Sequence, residues 1–186
     1  LERDWLTEGM GAATLRADVG YTQWQMRLFP EAVRTLERAI AELDRLAGPH
    51  NTSSIQASRT LGMALMDSGN YRRADEVFGR NVERSRQFYG AEDSETALNM
   101  SFQVMTLNRV ARTGEAETLA RESVRLASRP GTTLSASVVR GVQRRLGSAL
   151  LANGKPAEAL RTLDDVSAQE VAAGQNDTRH AATLML

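Results

Sequence analysis

The stretch that decides the fold is LGMALMDSG, residues 61–69, because it recurs as LGSALLANG at residues 146–154. The two copies are 85 residues apart, which is close to twice 42. The same period relates a set of alanines and a set of closing glycines: Ala32, Ala74, Ala116 and Ala159, and Gly48, Gly90, Gly131 and Gly174. Self-similarity at a fixed period of about 20–50 residues is typical of repeat architectures. The sequence therefore predicts four repeats of about 42 residues each.

Each repeat carries two amphipathic helical patterns. One helix face in the second repeat follows the i, i+3, i+4, i+7, i+8 spacing and consists of Ala74, Val77, Phe78, Asn81 and Val82. Gly69, Gly114 and Gly154 are expected to turn the chain between the two helices, because glycine accepts the left-handed conformation that ends a helix. The pattern predicts helices at residues 12–27, 30–47, 53–68, 71–89, 94–112, 115–129, 133–153, 156–173 and 178–186.

The two ends of the chain carry further expectations. Residues 1–8 are expected to be the tail of a preceding second helix, followed by a loop at Gly9–Thr14. The chain begins at Leu1 and ends on the apolar residues 184–186, so we expect a fragment of a longer protein. An array needs a polar terminal helix to close it, so the apolar end predicts self-association through the terminal helix 178–186, or fraying of that helix.

These helices predict an all-α fold built as one repeat array over residues 1–186. Its units lie at about 12–48, 53–90, 94–131 and 133–174, with a partial unit at 178–186. A hairpin of two short helices cannot bury its apolar faces alone, so neighbouring hairpins must stack on one another. The expected architecture is a right-handed superhelix (solenoid) of antiparallel helix hairpins.

Local motifs in the second repeat resemble the tetratricopeptide repeat (TPR). They are Leu61-Gly62 in the first helix, the turn Gly69-Asn70-Tyr71, and Ala74 three residues later. The 42-residue period and the loop at residues 88–94, FYGAEDS, are more similar to the kinesin-light-chain-like variant. The resemblance covers about residues 12–186 and departs in the third repeat, where Gln103 occupies the start of the helix core. It implies a regulatory protein partner.

Composition argues against several classes of function. Lys+Arg and Asp+Glu are both 23, so no net positive field attracts nucleic acid or an anionic membrane surface. There is no cysteine, and His50 and His180 lack the spacing of metal ligands. No apolar run is long enough to insert into a membrane. No catalytic constellation is present, so we expect a protein that is not an enzyme and needs no cofactor and no metal.

The candidate binding residues follow from the resemblance, which implies that the first helix of each repeat lines the concave face. The positions expected to face inward are Tyr21, Trp24, Gln25, Arg59, Met63, Met66, Asp67, Phe102, Met105, Asn108, Arg109, Arg144, Arg145, Ser148 and Leu151. Methionine and aromatic side chains among a few polar donors suit an adaptable peptide groove. The alternative is that Met63, Met66, Phe102 and Met105 are only packed between helices. Arg140, Arg144 and Arg145 could together hold a carboxylate, or form an exposed solvated face.

The leading interpretation is a peptide- or protein-binding scaffold within a larger bacterial regulatory protein. A cytoplasmic location is expected, with the periplasm left open. Two alternatives are a ligand-sensing domain that controls an attached DNA-binding or kinase domain, and a structural oligomerisation module. Calorimetric titration with peptides and with small molecules would distinguish the scaffold from the ligand-sensing domain. Capping an end helix would test the oligomerisation module, because self-association should then disappear.

Overall fold

The computed structural model describes residues 2–174, and the side chains of residues 9–174. This part of the chain contains eight helices and no strand. The helices are α1 (Glu2–Gln25), α2 (Phe29–Ala47), α3 (Thr52–Asp67), α4 (Tyr71–Phe88), α5 (Ser94–Arg109), α6 (Thr113–Ala127), α7 (Ala136–Ala152) and α8 (Pro156–Ala172). The predicted helix 178–186, with its partial repeat, lies outside the described residues.

The helices pair in chain order as hairpins, α1 with α2, α3 with α4, α5 with α6 and α7 with α8. Two hairpins form each of two compact units, Leu1–Ala91 and Glu92–Leu186. The predicted all-α fold of helix hairpins is therefore confirmed. Within the described helices, none combines the length and apolar character needed to cross a lipid bilayer.

The start of the chain differs from the sequence prediction. Helix α1 runs without a break through the predicted loop at Gly9–Thr14. Two glycines cost a helix about 1 kcal/mol each, but this segment packs against α2. Ala13 is fully buried, and a Cβ placed on Gly9 would lie in contact with Leu46. Tertiary packing therefore outweighs local propensity.

Helix α7 begins later than predicted, at Ala136 instead of residue 133. The hydroxyls of Ser94 and Thr133 lie 2.8 Å apart, which holds the preceding segment to the start of α5. The backbone N–H of Leu134 also donates to Thr132 Oγ1. Ser135 then caps α7 by accepting from the Val138 N–H. Side-chain bonds of Ser and Thr compete with helix formation in this way.

The turn inside each hairpin recurs at the repeat period. The residue with positive φ is Arg27 in the first repeat, Gly69 in the second, Ala111 in the third and Gly154 in the fourth. The predicted turn at Gly114 is wrong, because Gly114 lies inside α6 and Ala111 adopts the left-handed conformation with φ of 61°. The packing of the two helices therefore determines which residue adopts the left-handed conformation, even where that residue is not glycine.

Replacing Ala111 with glycine should stabilise the protein. An L-residue held in the left-handed conformation costs about 1–2 kcal/mol, which glycine avoids. Glycine also gives the unfolded chain more conformational entropy, which offsets part of this gain. We expect a net gain of about 0.5–1 kcal/mol in the free energy of unfolding, measured by urea denaturation. The matched control, Gly69→Ala, should destabilise. A loss of stability in Ala111→Gly would contradict the assigned turn.

Close contact between the helices of a hairpin depends on complementary side-chain size. Three hairpins place a glycine of the first helix against a large side chain of the second: Gly20 against Leu36, Gly62 against Phe78, and Gly147 against Leu163. The third hairpin reverses the sizes, with Val104 and Ala120 in one buried cluster. These contacts hold one side of the first helix close to the second helix of its own hairpin.

Ion pairs join the second helices of consecutive hairpins within residues 1–91. Arg84 donates through Nη2 to Asp44 Oδ2 at 2.7 Å and through Nη1 to Ser54 Oγ at 2.9 Å. Arg73 pairs with Glu37 along the same pair of helices. These contacts fix α4 relative to α2 and to the start of α3.

A similar network lies within residues 92–174. The carboxylate of Glu117 accepts hydrogen bonds from Lys155 Nζ at 2.7 Å and Asn153 Nδ2 at 2.6 Å, and Arg121 also pairs with it. The Lys155 and Asn153 hydrogen bonds, with the Arg121 contact, lower the pKa of Glu117 to about 2. Arg121 also reaches Glu158 of α8 at 2.7 Å. The network ties α6 to the α7–α8 turn and to the start of α8.

Candidate functional site

The first helices of consecutive hairpins contact each other, α1 with α3 in one unit and α5 with α7 in the other. All the predicted site residues lie on these four helices. They are Tyr21, Trp24 and Gln25 on α1; Arg59, Met63, Met66 and Asp67 on α3; Phe102, Met105, Asn108 and Arg109 on α5; and Arg144, Arg145, Ser148 and Leu151 on α7.

A hydrogen-bonded aromatic row crosses from α1 to α3. The Tyr21 and Trp24 rings are tilted by 52° with centroids 5.6 Å apart. Trp24 Nε1 donates to Asp67 Oδ2 at 2.7 Å, and Gln25 Nε2 donates to the Tyr21 hydroxyl at 2.5 Å. Tyr21 remains 43% exposed. Four of the predicted residues therefore form one connected, accessible group, which we call the aromatic row.

The other predicted residues of α3 have a mixed environment. Arg59, Met63 and Met66 are half-buried. The side chains of the two methionines are therefore partly buried and partly accessible, and their role in a groove stays a prediction. Because methionine is flexible and polarisable, it can adapt its accessible part to different neighbours.

A second group lies on α5 and α7. The guanidinium of Arg145 lies over the Phe102 ring, 4.3 Å from its centroid. Its Nε lies 3.3 Å from Met105 Sδ, and its Nη1 donates to Ser101 Oγ at 3.2 Å. Sequence reasoning missed Ser101, although it lies one 42-residue period after Arg59. We call Arg145, Phe102, Met105 and Ser101 the arginine–phenylalanine cluster.

The three arginines of α7 that could share a carboxylate have different surroundings. Arg144 pairs with Glu170 of α8, whose side chain is only 4% exposed and needs a positive partner. Arg140 is buried. Arg145 lies over Phe102, so Arg144 and Arg145 contact different groups, and a carboxylate site shared by Arg140, Arg144 and Arg145 stays a prediction.

The remaining predicted residues of this unit differ in exposure. Ser148 is half-buried and Arg109 is exposed. Asn108 is half-buried, and its Oδ1 is buried without a hydrogen-bond partner among the described residues.

A concave surface between α1 and α2 was not predicted. Its volume is about 490 Å³, and Leu15 and Val19 of its lining are exposed. The equivalent residues one period later, Ala57 and Leu61, are buried in the second hairpin. This surface is therefore open, and its apolar residues occupy positions that are buried in the next hairpin.

Comparison with solved structures identifies the fold. A protein from Podosopora anserina described as a kinesin light chain with nearly identical TPR-like repeats aligns at a TM-score of 0.70 and 20% identity, over 84% of this chain and 74% of that one. BtubC (BKLC) from P. vanneervenii aligns at a TM-score of 0.75 and 14% identity, over 90% of this chain and 65% of that one. MamA of MSR-1 aligns at a TM-score of 0.52 and 16% identity, over 92% of this chain and 94% of that one.

No family model matches the chain, and no curated protein matches it. The solved structures therefore establish the fold alone. The chain has a TPR-like solenoid repeat fold, as the sequence pattern predicts.

Proposed function

We propose that the chain is a non-catalytic scaffold that binds a peptide segment of a partner protein along its first helices. The aromatic row carries this proposal. Tyr21 is an exposed aromatic side chain already held by a hydrogen bond, so it loses little entropy on binding. Aromatic residues are also enriched at the centres of protein interfaces. The half-buried methionines beside the row add adaptable apolar contact.

The proposed setting is the cytoplasm of a bacterium, as the repeat region of a larger regulatory protein. Lys155 is the only lysine among 23 basic residues, and this strong preference for arginine supports a GC-rich bacterial source. The scaffold would bring its partner close to the rest of that protein. No nucleic-acid role is proposed, because positive and negative side chains balance.

A peptide selection should test the proposal. Random 12-residue peptides displayed on phage would be selected on the 186-residue protein, and the recovered peptides titrated by calorimetry. Tyr21→Ala should weaken their binding by about fivefold or more, because truncating an interface aromatic costs about 1 kcal/mol or more.

Phe88→Ala is the matched control. Phe88 is also an exposed aromatic residue, 46% exposed against 43% for Tyr21, but it lies at the end of α4, a second helix. Its replacement should leave Kd unchanged. The proposal is wrong if both variants weaken binding equally, or if selection recovers no peptide that binds.

A further inference from the structure

The aromatic row presents ring faces suited to a cation. An aromatic ring carries negative potential on its face, and a guanidinium or ammonium within about 6 Å is attracted to it. The N–H of Trp24 already donates to Asp67, so the half-buried indole can meet a further group only through its ring. The Gln25 amide holds the hydroxyl of Tyr21, whose ring remains exposed.

Asp67 supplies a negative charge beside these rings. One of its carboxylate oxygens, Oδ2, accepts from Trp24. Among the described residues, the structure shows no other hydrogen bond or ion pair to this side chain, which is exposed. The indole therefore orients the carboxylate and leaves Oδ1 able to accept from a ligand.

Asp18, three residues before Tyr21 on α1, is a further acidic residue. It lies one turn before Thr22 and is exposed, and among the described residues the structure shows a contact only to its backbone carbonyl, from the Thr22 hydroxyl. Arg27, just beyond the end of α1, lies over Phe29 at 5.4 Å. No arginine of the described residues lies over Tyr21 or Trp24.

The arginine–phenylalanine cluster shows how this kind of surface holds a guanidinium. There the chain places its own Arg145 over Phe102, with Met105 Sδ and Ser101 Oγ beside the guanidinium. The aromatic row has two rings and a carboxylate, but no arginine of its own.

We propose that the aromatic row binds an arginine side chain of the partner peptide, with the guanidinium over the Tyr21 and Trp24 rings and paired with Asp67 Oδ1. Arginine fits better than lysine, because its planar guanidinium can stack on a ring and bond a carboxylate at the same time. This inference rests on the proposed peptide-binding function and specifies the chemistry of the partner.

The probe is the peptide (Gly-Ser-Arg)4 with a matched peptide in which citrulline replaces each arginine. Citrulline keeps the shape and most donors of arginine but carries no charge. Binding would be followed by the 1H–15N signal of the Trp24 indole, identified by its loss in Trp24→Phe. The arginine peptide should shift this signal and bind about tenfold more tightly than the citrulline peptide.

Two variants separate charge from shape. Asp67→Asn keeps an acceptor for the indole N–H and should weaken the arginine peptide about three- to tenfold, while the citrulline peptide changes less than twofold. Tyr21→Leu should weaken the arginine peptide, whereas Tyr21→Phe, which keeps the ring, should not.

Equal affinity for the two peptides, or no effect of Asp67→Asn, would overturn the inference. If phage-selected peptides still depend on Tyr21 in that case, the scaffold function stands and only the arginine is wrong. If no peptide depends on Tyr21, the scaffold function itself fails.

Discussion

Replacing Gly62 with valine should lower the free energy of unfolding by about 2–3 kcal/mol, the upper part of the usual range for overpacking a core. A Cβ built on Gly62 would lie 2.5 Å from two atoms of the Phe78 ring, and Phe78 is fully buried. Because a buried ring in a close-packed interior cannot move without displacing its neighbours, we expect the two helices of the hairpin to separate. Thermal and urea unfolding would measure the loss.

The third hairpin supplies the design of a compensating variant. Val104 occupies the position equivalent to Gly62, and Ala120 the position equivalent to Phe78. Phe78→Ala alone should cost about 3–5 kcal/mol by leaving a cavity. In Gly62→Val/Phe78→Ala the valine fills part of that cavity, so the double variant should lose at least about 1 kcal/mol less than the sum of the two single variants.

Gly11→Val is the control for the effect of valine in a helix. Gly11 also lies inside a helix, and a Cβ there would meet no atom within 4 Å. Its replacement should change stability by less than about 0.5 kcal/mol, because only helix propensity differs. Similar losses at Gly62 and Gly11, or strict additivity in the double variant, would show that size complementarity does not hold this hairpin together.

The repeat period made the fold predictable, because it is set by packing that recurs in every hairpin. Local signals were less reliable where packing opposed them. Gly9 and Gly11 favour a loop, yet α1 continues because Ala13 is buried against α2. Gly114 suggested a turn, but the helix register places the left-handed residue at Ala111. A single sequence shows the preferred residue for a turn, and not whether tertiary packing overrides it.

The candidate site was predictable in its positions but not in its contacts. The period places Tyr21, Trp24 and Asp67 on first helices, but the bond between Trp24 and Asp67 depends on the offset between α1 and α3. Arg144 looked equivalent to Arg145 in the sequence. Its partner, Glu170, lies 26 residues away on α8, and no local pattern relates the two. Pairwise contacts between long side chains require the three-dimensional packing.

Removing the carboxylate of Asp44 should also have a large effect. Asp44 and Arg84 are each only 23% exposed, and the guanidinium bonds both carboxylate oxygens, at 2.7 and 3.3 Å. The Ser54 hydroxyl donates to the same carboxylate. Asp44→Ala leaves a largely buried guanidinium without its counter-charge, so we expect a loss of about 2 kcal/mol in the free energy of unfolding.

Glu31→Ala is the matched control for this pair. Glu31 and Arg34 also form an ion pair, but their side chains are 45% and 64% exposed. Water solvates both groups in either state, so this variant should cost less than about 0.5 kcal/mol. The double variant Asp44→Ala/Arg84→Met should recover part of the loss, because it removes the unpaired charge as well. If Asp44→Ala costs no more than Glu31→Ala, the network does not stabilise the contact between the first two hairpins, and packing of α2 against α3 must do so alone.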